Sequence, residues 1–460
     1  MALTSARDAL HLVVVGGGFT GAALAIHAVR AANRPLDITV LEPRAELGRG
    51  IAYSTRDPNH RINVPSDRMD IAAAASGAAS AWFRARGLLN GAGEDDSYVP
   101  RATYGAYLAD LVRRTCEAAG DRVRLRHRRT IATAVIPQDR GWRVETGTGA
   151  AVAADRVALC FGHGLPAPPC PLGPGVAASR GFIPNPWADD ALAALGPDAS
   201  VLIVGTGLTM ADAVTSLRAN GHRGPITALS RRGLLPQAHG VFLTTLDVLG
   251  VRRPETALEL LRHLRRQAAA VDPALGWQPV VDSFRKVLPD VWATLPPGEK
   301  RRLVRHLLPY WEVHRFRIAP QIAAGLARAR AEGHLIVARA AVTGLRLSGD
   351  GRLAAELRRG GRPEQRLFDA VVLCTGPQRD SARNPLVAGL LAAGTARRDA
   401  ADLGLAVDRC SRVLDAAGAR QPGLYAFGPM TRGSFGEMTG AADIAHHIES
   451  VVGGLLAPVR

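Results

Sequence analysis

Two stretches, LVVVGGGFTG at residues 12–21 and SVLIVGTGLTMAD at residues 200–212, each run an apolar strand into a glycine turn and a helix. Two later apolar runs end alike, at Cys160-Phe161-Gly162 and Cys374-Thr375-Gly376. A doubled strand–turn–helix signature with doubled strand ends predicts an α/β chain: two Rossmann-like dinucleotide-binding domains with a helical insertion.

The first turn has the clearer chemistry. Gly16, Gly18 and Gly21 stand at the spacing of a dinucleotide cradle. The first glycine lets the chain turn off the strand, the second lets backbone approach a pyrophosphate, and the third lets helix pack on sheet. Phe19 and Thr20 open the helix, whose free N–H groups and dipole favour a phosphate. The next strand, DITVL at 37–41, ends at Glu42. A carboxylate at that place holds a ribose hydroxyl pair and disfavours a 2′-phosphate. On physical grounds alone, FAD or NAD satisfies this site.

Between the first and second turns, GRGIAY at 48–53 and NHRINVP at 59–65 read as loops. They place Arg49, His60 and Asn63 where a chain crosses a phosphate or a flavin. Residues 69–81 are small and apolar and predict a helix; a longer helix runs to about Ala118. Strands follow at 123–127, 130–136 and 142–146, suggesting an inserted or returning sheet. The run ending at Gly162 closes the first unit, and a Pro/Gly-rich linker spans 166–174.

In the second turn, Gly205 and Gly207 are present, but Met210 fills the place of the third small residue. The strand at 225–229 ends in Ser230-Arg231-Arg232, and two guanidinium groups there suit a 2′-phosphate. The pairing expected is resident FAD at Glu42 and transient NADPH at Arg231 and Arg232, with NADH as the alternative. Leucines and valines recur among charges over 255–270 and 299–308, so the helical insertion is set at about 245–325. The stretch YWEVHRFRIAP at 310–320 concentrates Trp311, His314, Arg315 and Arg317. It suits either a pocket for an anionic or aromatic substrate or a bridge between domains. The domains expected are 1–168 with 365–460 for FAD, and 185–364 for NADP.

A formal charge of +16 is scattered, without zinc finger, RNA-binding aromatic motif or basic tail. Anionic cofactors and substrate account for it, and no nucleic-acid or membrane partner is expected. Five cysteines without a C-x-x-C pair argue against a zinc site, a disulfide scaffold or a dithiol redox centre. No signal peptide is read at the N-terminus, so a cytoplasmic location is expected. Oligomeric state is left open.

The strings GGGFTG, GRGIAYST, HRINVP, YWEVHRFRIAP, LCTGP and LYAFGPMTRGSFGEMTG resemble a family of bacterial FAD/NAD(P)-binding proteins. That family contains a flavin-dependent urate hydroxylase and aspartate N-oxygenases that form nitrosuccinate. The resemblance implies a two-dinucleotide-binding flavoprotein. It implies FAD at Gly16, Gly18, Gly21 and Glu42 for the adenosine half, and at Gly428, Glu437 and Thr439, with Met438 between them, for the flavin half. NADPH would lie at Gly205, Gly207, Arg231 and Arg232. Gly162 and Gly376 close the two sites. Phe161 and Met210 depart from the wider pattern.

The activity expected is an FAD-dependent, NAD(P)H-consuming monooxygenase that uses O2 to hydroxylate a small polar or anionic substrate, with urate the specific expectation. The alternatives are an amino-acid (aspartate-like) N-hydroxylase and a non-oxygenating FAD/NAD(P)H oxidoreductase. Catalytic candidates are Arg49, His60, His314 and Arg315, with Arg101, His163 and His239 as further substrate contacts. No metal is expected.

Overall fold

The computed structural model describes residues 9–458 apart from 90–96, 163, 165, 189, 241–244, 250–252 and 377–379. The first unit opens with β1 (Leu10–Val15), α1 (Phe19–Ala31) and β2 (Leu36–Leu41), then α2 (Ala78–Arg84), α3 (Arg101–Ala119) and β3 (Val123–Arg128). A small antiparallel sheet of β4 (Ala132–Pro137), β5 (Trp142–Thr146) and β6 (Ala151–Ala154) precedes the return strand β7 (Arg156–Leu159).

The second unit repeats this plan. It starts at β8 (Phe182–Ile183) and β9 (Val201–Val204), followed by α4 (Leu208–Ala219) and β10 (Ile226–Ser230). Helices α5 (Ala257–Ala270), α6 (Gln278–Thr294), α7 (Pro297–His306) and α8 (Leu308–Arg315) form the insertion. The unit resumes with α9 (Pro320–Ala331) and β11 (Leu335–Arg339). A second small antiparallel sheet, β12 (Ala341–Leu347), β13 (Leu353–Arg359) and β14 (Arg362–Phe368), leads to the return strand β15 (Ala370–Leu373). The chain then goes back to the first unit through α10 (Pro385–Ala392), β16 (Arg412–Leu414), β17 (Arg420–Ala426), α11 (Arg432–Phe435) and α12 (Ala441–Leu456).

The first sheet has the order β16-β17-β7-β1-β2-β3, the second β11-β10-β9-β15-β8. In each, the strand before the glycine turn is flanked by the next strand in sequence and by the return strand, all parallel. Parallel strands covered on both faces read as continuous apolar runs. Val13, Val14, Val201, Leu202 and Ile203 accordingly have no exposed surface. Each such fully buried Val or Leu contributes about 1.5–3 kcal/mol. The insertion has a core of its own around Phe284, Leu288, Val291 and Trp292.

Two expectations need correction. The domain boundary at 365 falls inside the second unit, because β15 pairs with β9 and β8. The small sheet hides this join: β14 is exposed at all but its last residue, so composition shows no break where the second unit actually closes. The helix expected over 69–81 is only a short turn at Ala73–Ala75 followed by α2. Gly77 adopts φ +79° and Asp70 accepts the N–H groups of Gly77 (2.6 Å) and Ala79 (3.1 Å), so α2 starts late.

Candidate functional site

Both turns run from strand to helix N-terminus as the sequence predicts. Gly16 has φ +97°, and a Cβ there would lie 2.7 Å from the Phe161 backbone, just past β7. Gly205 has φ +114°, and a Cβ would lie 2.0 Å from the Cys374 carbonyl oxygen, just past β15. Each turn is thus wedged against the backbone at the end of its own return strand. A Cβ on Gly21 would sit 1.9 Å from the Gly16 carbonyl, so only glycine allows α1 this close. Gly18 and Gly207 are the N-caps of α1 and α4, and neither has a side-chain cap, which leaves the first N–H groups of both helices for a ligand. Met210 is fully buried on α4 and points into the core rather than the turn.

Glu42 stands at the end of β2 and is only 4% exposed. Its carboxylate accepts the N–H of Gly17 (3.0 Å) and of Arg44 (3.1 Å) and pairs with the Arg44 guanidinium (3.1 Å). These contacts tie the acid directly to the glycine turn. Gly162 faces open space beside the same turn. Gly428, at φ +78°, comes from the far end of the chain to within contact of Thr20, to whose Oγ1 an added Cβ would be 2.6 Å. Phe19 meets Tyr53 edge-on at 6.2 Å, so the loop after Gly48 also lies at this helix start.

At the second cradle, Thr206 and Ser230 share a hydroxyl hydrogen bond (2.8 Å), and Thr206 Oγ1 donates to the Leu234 carbonyl (2.6 Å). The end of β10 is therefore laced to the glycine turn, bringing Arg231 and Arg232 alongside it. Arg231 is exposed, and the Arg232 guanidinium lies 5.7 Å from the ring of Tyr310 in the insertion. Gly376, at φ +79°, faces open space, as Gly162 does in the first unit. His163 and Pro377 lie outside the described residues.

The catalytic candidates separate into different roles. His60 is buried between the two units. Its Nδ1 is bonded to Thr55 Oγ1 (2.8 Å) and its Nε2 to Ser216 Oγ (2.9 Å), while burial lowers its pKa. It is an internal anchor with both ring nitrogens engaged. Arg315, 7% exposed, pairs with Asp443 (2.8 Å) and with Glu437 (3.6 Å). Burial lowers the Arg315 pKa against the pull of these acids. Burial pushes Glu437 up, but Arg315 and Arg432 outweigh it and hold the carboxyl below its ordinary value. Trp311 Nε1 and Thr439 also donate to Glu437. Arg432 pairs with Glu312 (3.2 Å) and Trp292 donates to the Gly433 carbonyl (2.7 Å). Arg317 grips Asp282 through two bonds of 2.9 and 3.0 Å. The 310–320 stretch therefore bridges the insertion to the returning C-terminal segment, one of the two readings the sequence left open.

Arg49 pairs with Glu46 (2.6 Å) and donates to the Ala102 carbonyl (3.2 Å). Asn63 donates to the Arg317 carbonyl (3.4 Å), and its own carbonyl is bonded to His239 Nε2 (2.9 Å). His314 bonds the Tyr310 carbonyl through Nδ1 (2.7 Å) and packs edge-on against Trp277 at 4.6 Å. Met438 is buried. Sequence reasoning missed Asp212, Ser216 and Trp187. The available signal was a lone acid flanked by Met210, Ala211, Ala213 and Val214 directly behind a glycine turn. Among the described residues, no group of three potential metal ligands occurs and no helix is long and apolar enough to cross a membrane.

Residues 13–164 match a family model described as FAD-NAD(P)-binding. No protein of curated function matches the sequence. Among solved structures, the ornithine N-hydroxylase of Kutzneria sp. 744 superposes with a TM-score of 0.66 at 17% identity, over 96% of this chain and 98% of that one. The cadaverine monooxygenase of Erwinia amylovora, bound to FAD, gives 0.64 at 15%, over 96% and 92%. The bacillithiol disulfide reductase of Staphylococcus aureus gives 0.58 at 12%, over 98% of each chain. Taken with the two cradles, these likenesses give the chain the fold of the two-dinucleotide-binding flavoproteins.

Proposed function

We propose that this chain is an FAD-dependent, NADPH-consuming monooxygenase that hydroxylates the nitrogen of a small amino-acid-like substrate. The observation that carries the reading is the pair of cradles of unlike charge in one chain, one ending on Glu42 and the other on Arg231 and Arg232. Both have the build of a nucleotide turn, since a Cβ at Gly16, Gly21 or Gly205 would meet the chain's own backbone, while Gly162, Gly207 and Gly376 face open space. Gly16, Gly18, Phe19, Thr20, Gly21 and Glu42 would hold the adenosine and pyrophosphate of FAD. Gly162, Gly428, Glu437, Met438 and Thr439 would flank its other half, reached by the loop bearing Arg49 and Asn63. Gly205, Gly207, Arg231 and Arg232 would hold NADPH. FAD held there would supply acceptance of hydride from the nicotinamide and activation of O2 for insertion of one oxygen atom.

The chain's own part is positioning, exclusion of water and charge complementarity. The wall between insertion and C-terminal segment carries both signs, with Arg285, Arg315 and Arg432 set against Glu312, Glu437 and Asp443. These charges pair with one another and fix the insertion against the C-terminal segment. The similarity to an ornithine N-hydroxylase and a cadaverine monooxygenase favours the amino-acid N-hydroxylase alternative over urate. Absence of a C-x-x-C pair speaks against the disulfide reductase chemistry named for the third neighbour.

The test is NADPH and O2 consumption by the purified yellow protein with ornithine, lysine, aspartate or urate. Substrate-stimulated consumption with an N-hydroxylated product is the expected result. Hydroxylated urate would restore the first expectation. Bleaching by NADPH without O2 uptake under any substrate would leave the non-oxygenating oxidoreductase.

A further inference from the structure

The two units meet along a buried polar seam behind the second cradle. Asp212 lies on α4, 4% exposed, one turn beyond the N-cap Gly207. Its carboxylate accepts from Arg101 Nη2 (3.0 Å), at the start of α3 in the first unit, and from Trp187 Nε1 (3.3 Å). Arg101 is itself fixed, donating through Nε to the Arg61 carbonyl (2.9 Å) and lying 5.4 Å from the Trp187 ring. One turn further along α4, Ser216 joins His60 (2.9 Å) and donates to Asp57, both on the first unit's loop. Tyr98, also from the first unit, is buried in the second unit's core.

We propose that Asp212, with Ser216 on the same face of α4, is a positioning residue that sets the distance between the two nucleotide cradles. The inference rests on the proposed function, in which NADPH is oxidised and the flavin reduced across that distance. The helix carrying these two residues is the one whose N-terminus forms the second cradle. The residues they grip, Arg101, His60 and Asp57, belong to the unit that holds the first. A shift of the second unit, held through α4, therefore moves one nucleotide against the other without altering the contacts inside either cradle. The pair is charged and directional, so it specifies one docking of the units where apolar contact alone would tolerate sliding. Asp212 touches neither nucleotide site directly; it acts through α4.

The test compares Asp212→Asn, Ser216→Ala, Arg101→Met and Arg101→Lys in the full-length holoprotein. Readouts are FAD content, Kd for NADP+, amide exchange across Leu208–Ala219 and the anaerobic rate of flavin bleaching at saturating NADPH. A displacement of about 1 Å costs about a hundredfold in rate. The expected result for Asp212→Asn is therefore full FAD content, a Kd within about threefold of wild type, faster exchange in α4 and bleaching slowed about ten- to a hundredfold. Arg101→Lys keeps the charge and should retain most of the rate that Arg101→Met loses. Should Asp212→Asn fail to fold, Ser216→Ala reads the same split through the second contact. Unchanged bleaching, or a Kd that rises in step with the lost rate, overturns the inference. Wild-type protein that holds FAD yet is never bleached by NADPH overturns the proposed function itself.

Discussion

The two units follow one plan and differ in how they finish it. Each wedges a glycine turn against its own return strand and interposes a three-stranded antiparallel sheet before that strand. The first ends its second strand on a buried acid bonded to the turn, and the chain's last segment comes back to cover it. The second ends on two arginines, one of them exposed, and spends its extra residues on a helical insertion. A cradle sealed from both chain ends suits a resident nucleotide, and one open at its two arginines suits, under the proposed function, a nucleotide that comes and goes.

The sharpest way to break this comparison is to fill one cradle at a time. Gly16→Ala and Gly205→Ala each place a Cβ against backbone at a positive φ. Strain of up to about 3 kcal/mol is expected in each. Gly16→Ala should yield colourless protein. Gly205→Ala should stay yellow while its affinity for NADP+ falls about a hundredfold, the equivalent of that strain. Equal loss of flavin in both variants would deny the division of labour.

A smaller effect separates the two charges. Replacing Arg231 and Arg232 by alanine should raise the KM for NADPH about ten- to a hundredfold, since charged hydrogen bonds contribute about 1.5–3 kcal/mol. The KM for NADH should change about twofold at most, because it lacks the 2′-phosphate. Parallel rises for both coenzymes would mean that the arginines do not meet that phosphate.

The mildest test uses pH, with one histidine on each side. Burial holds His447 of α12 and His239 beyond β10 at about 4, below the ordinary 6.5. Both are neutral when folded and take up a proton on unfolding below pH 6.5. Stability is therefore complete above pH 6.5 and declines as the pH falls toward 4. Tm followed across that window should drop, and His447→Gln should flatten part of the decline. A Tm unaffected by His447→Gln at every pH in the window would show that its burial is not coupled to unfolding.

Much of this molecule was legible because its signals are short-range. Gly16, Gly18 and Gly21 lie within six residues, and Glu42 follows one strand later. The arginine-ended strand and the helical span of the insertion were read in the same way. Contacts between distant residues were not legible. Nothing near Arg315 announces Asp443, and nothing near Asp212 announces Arg101, yet each pair joins a buried charge to a partner far along the chain. From its sequence position His60 could serve either as a substrate contact or as an anchor of its loop, and the anchor was the favoured reading. Only packing showed that both its nitrogens are spent inside the seam. The boundary at 365 failed for a similar reason, since a return strand looks the same from sequence whichever sheet takes it in.

By itself, the sequence determined the two cradles, their opposite charges and the position of the insertion, because strand, glycine turn and helix start are dictated by neighbours along the chain. Tertiary structure alone decided which strands share a sheet, that the 310–320 stretch bridges insertion and C-terminal segment, and that α4 is bolted to the first unit. Those outcomes depend on burying charges far apart in sequence, whose desolvation is tolerable only when a specific partner meets them in space.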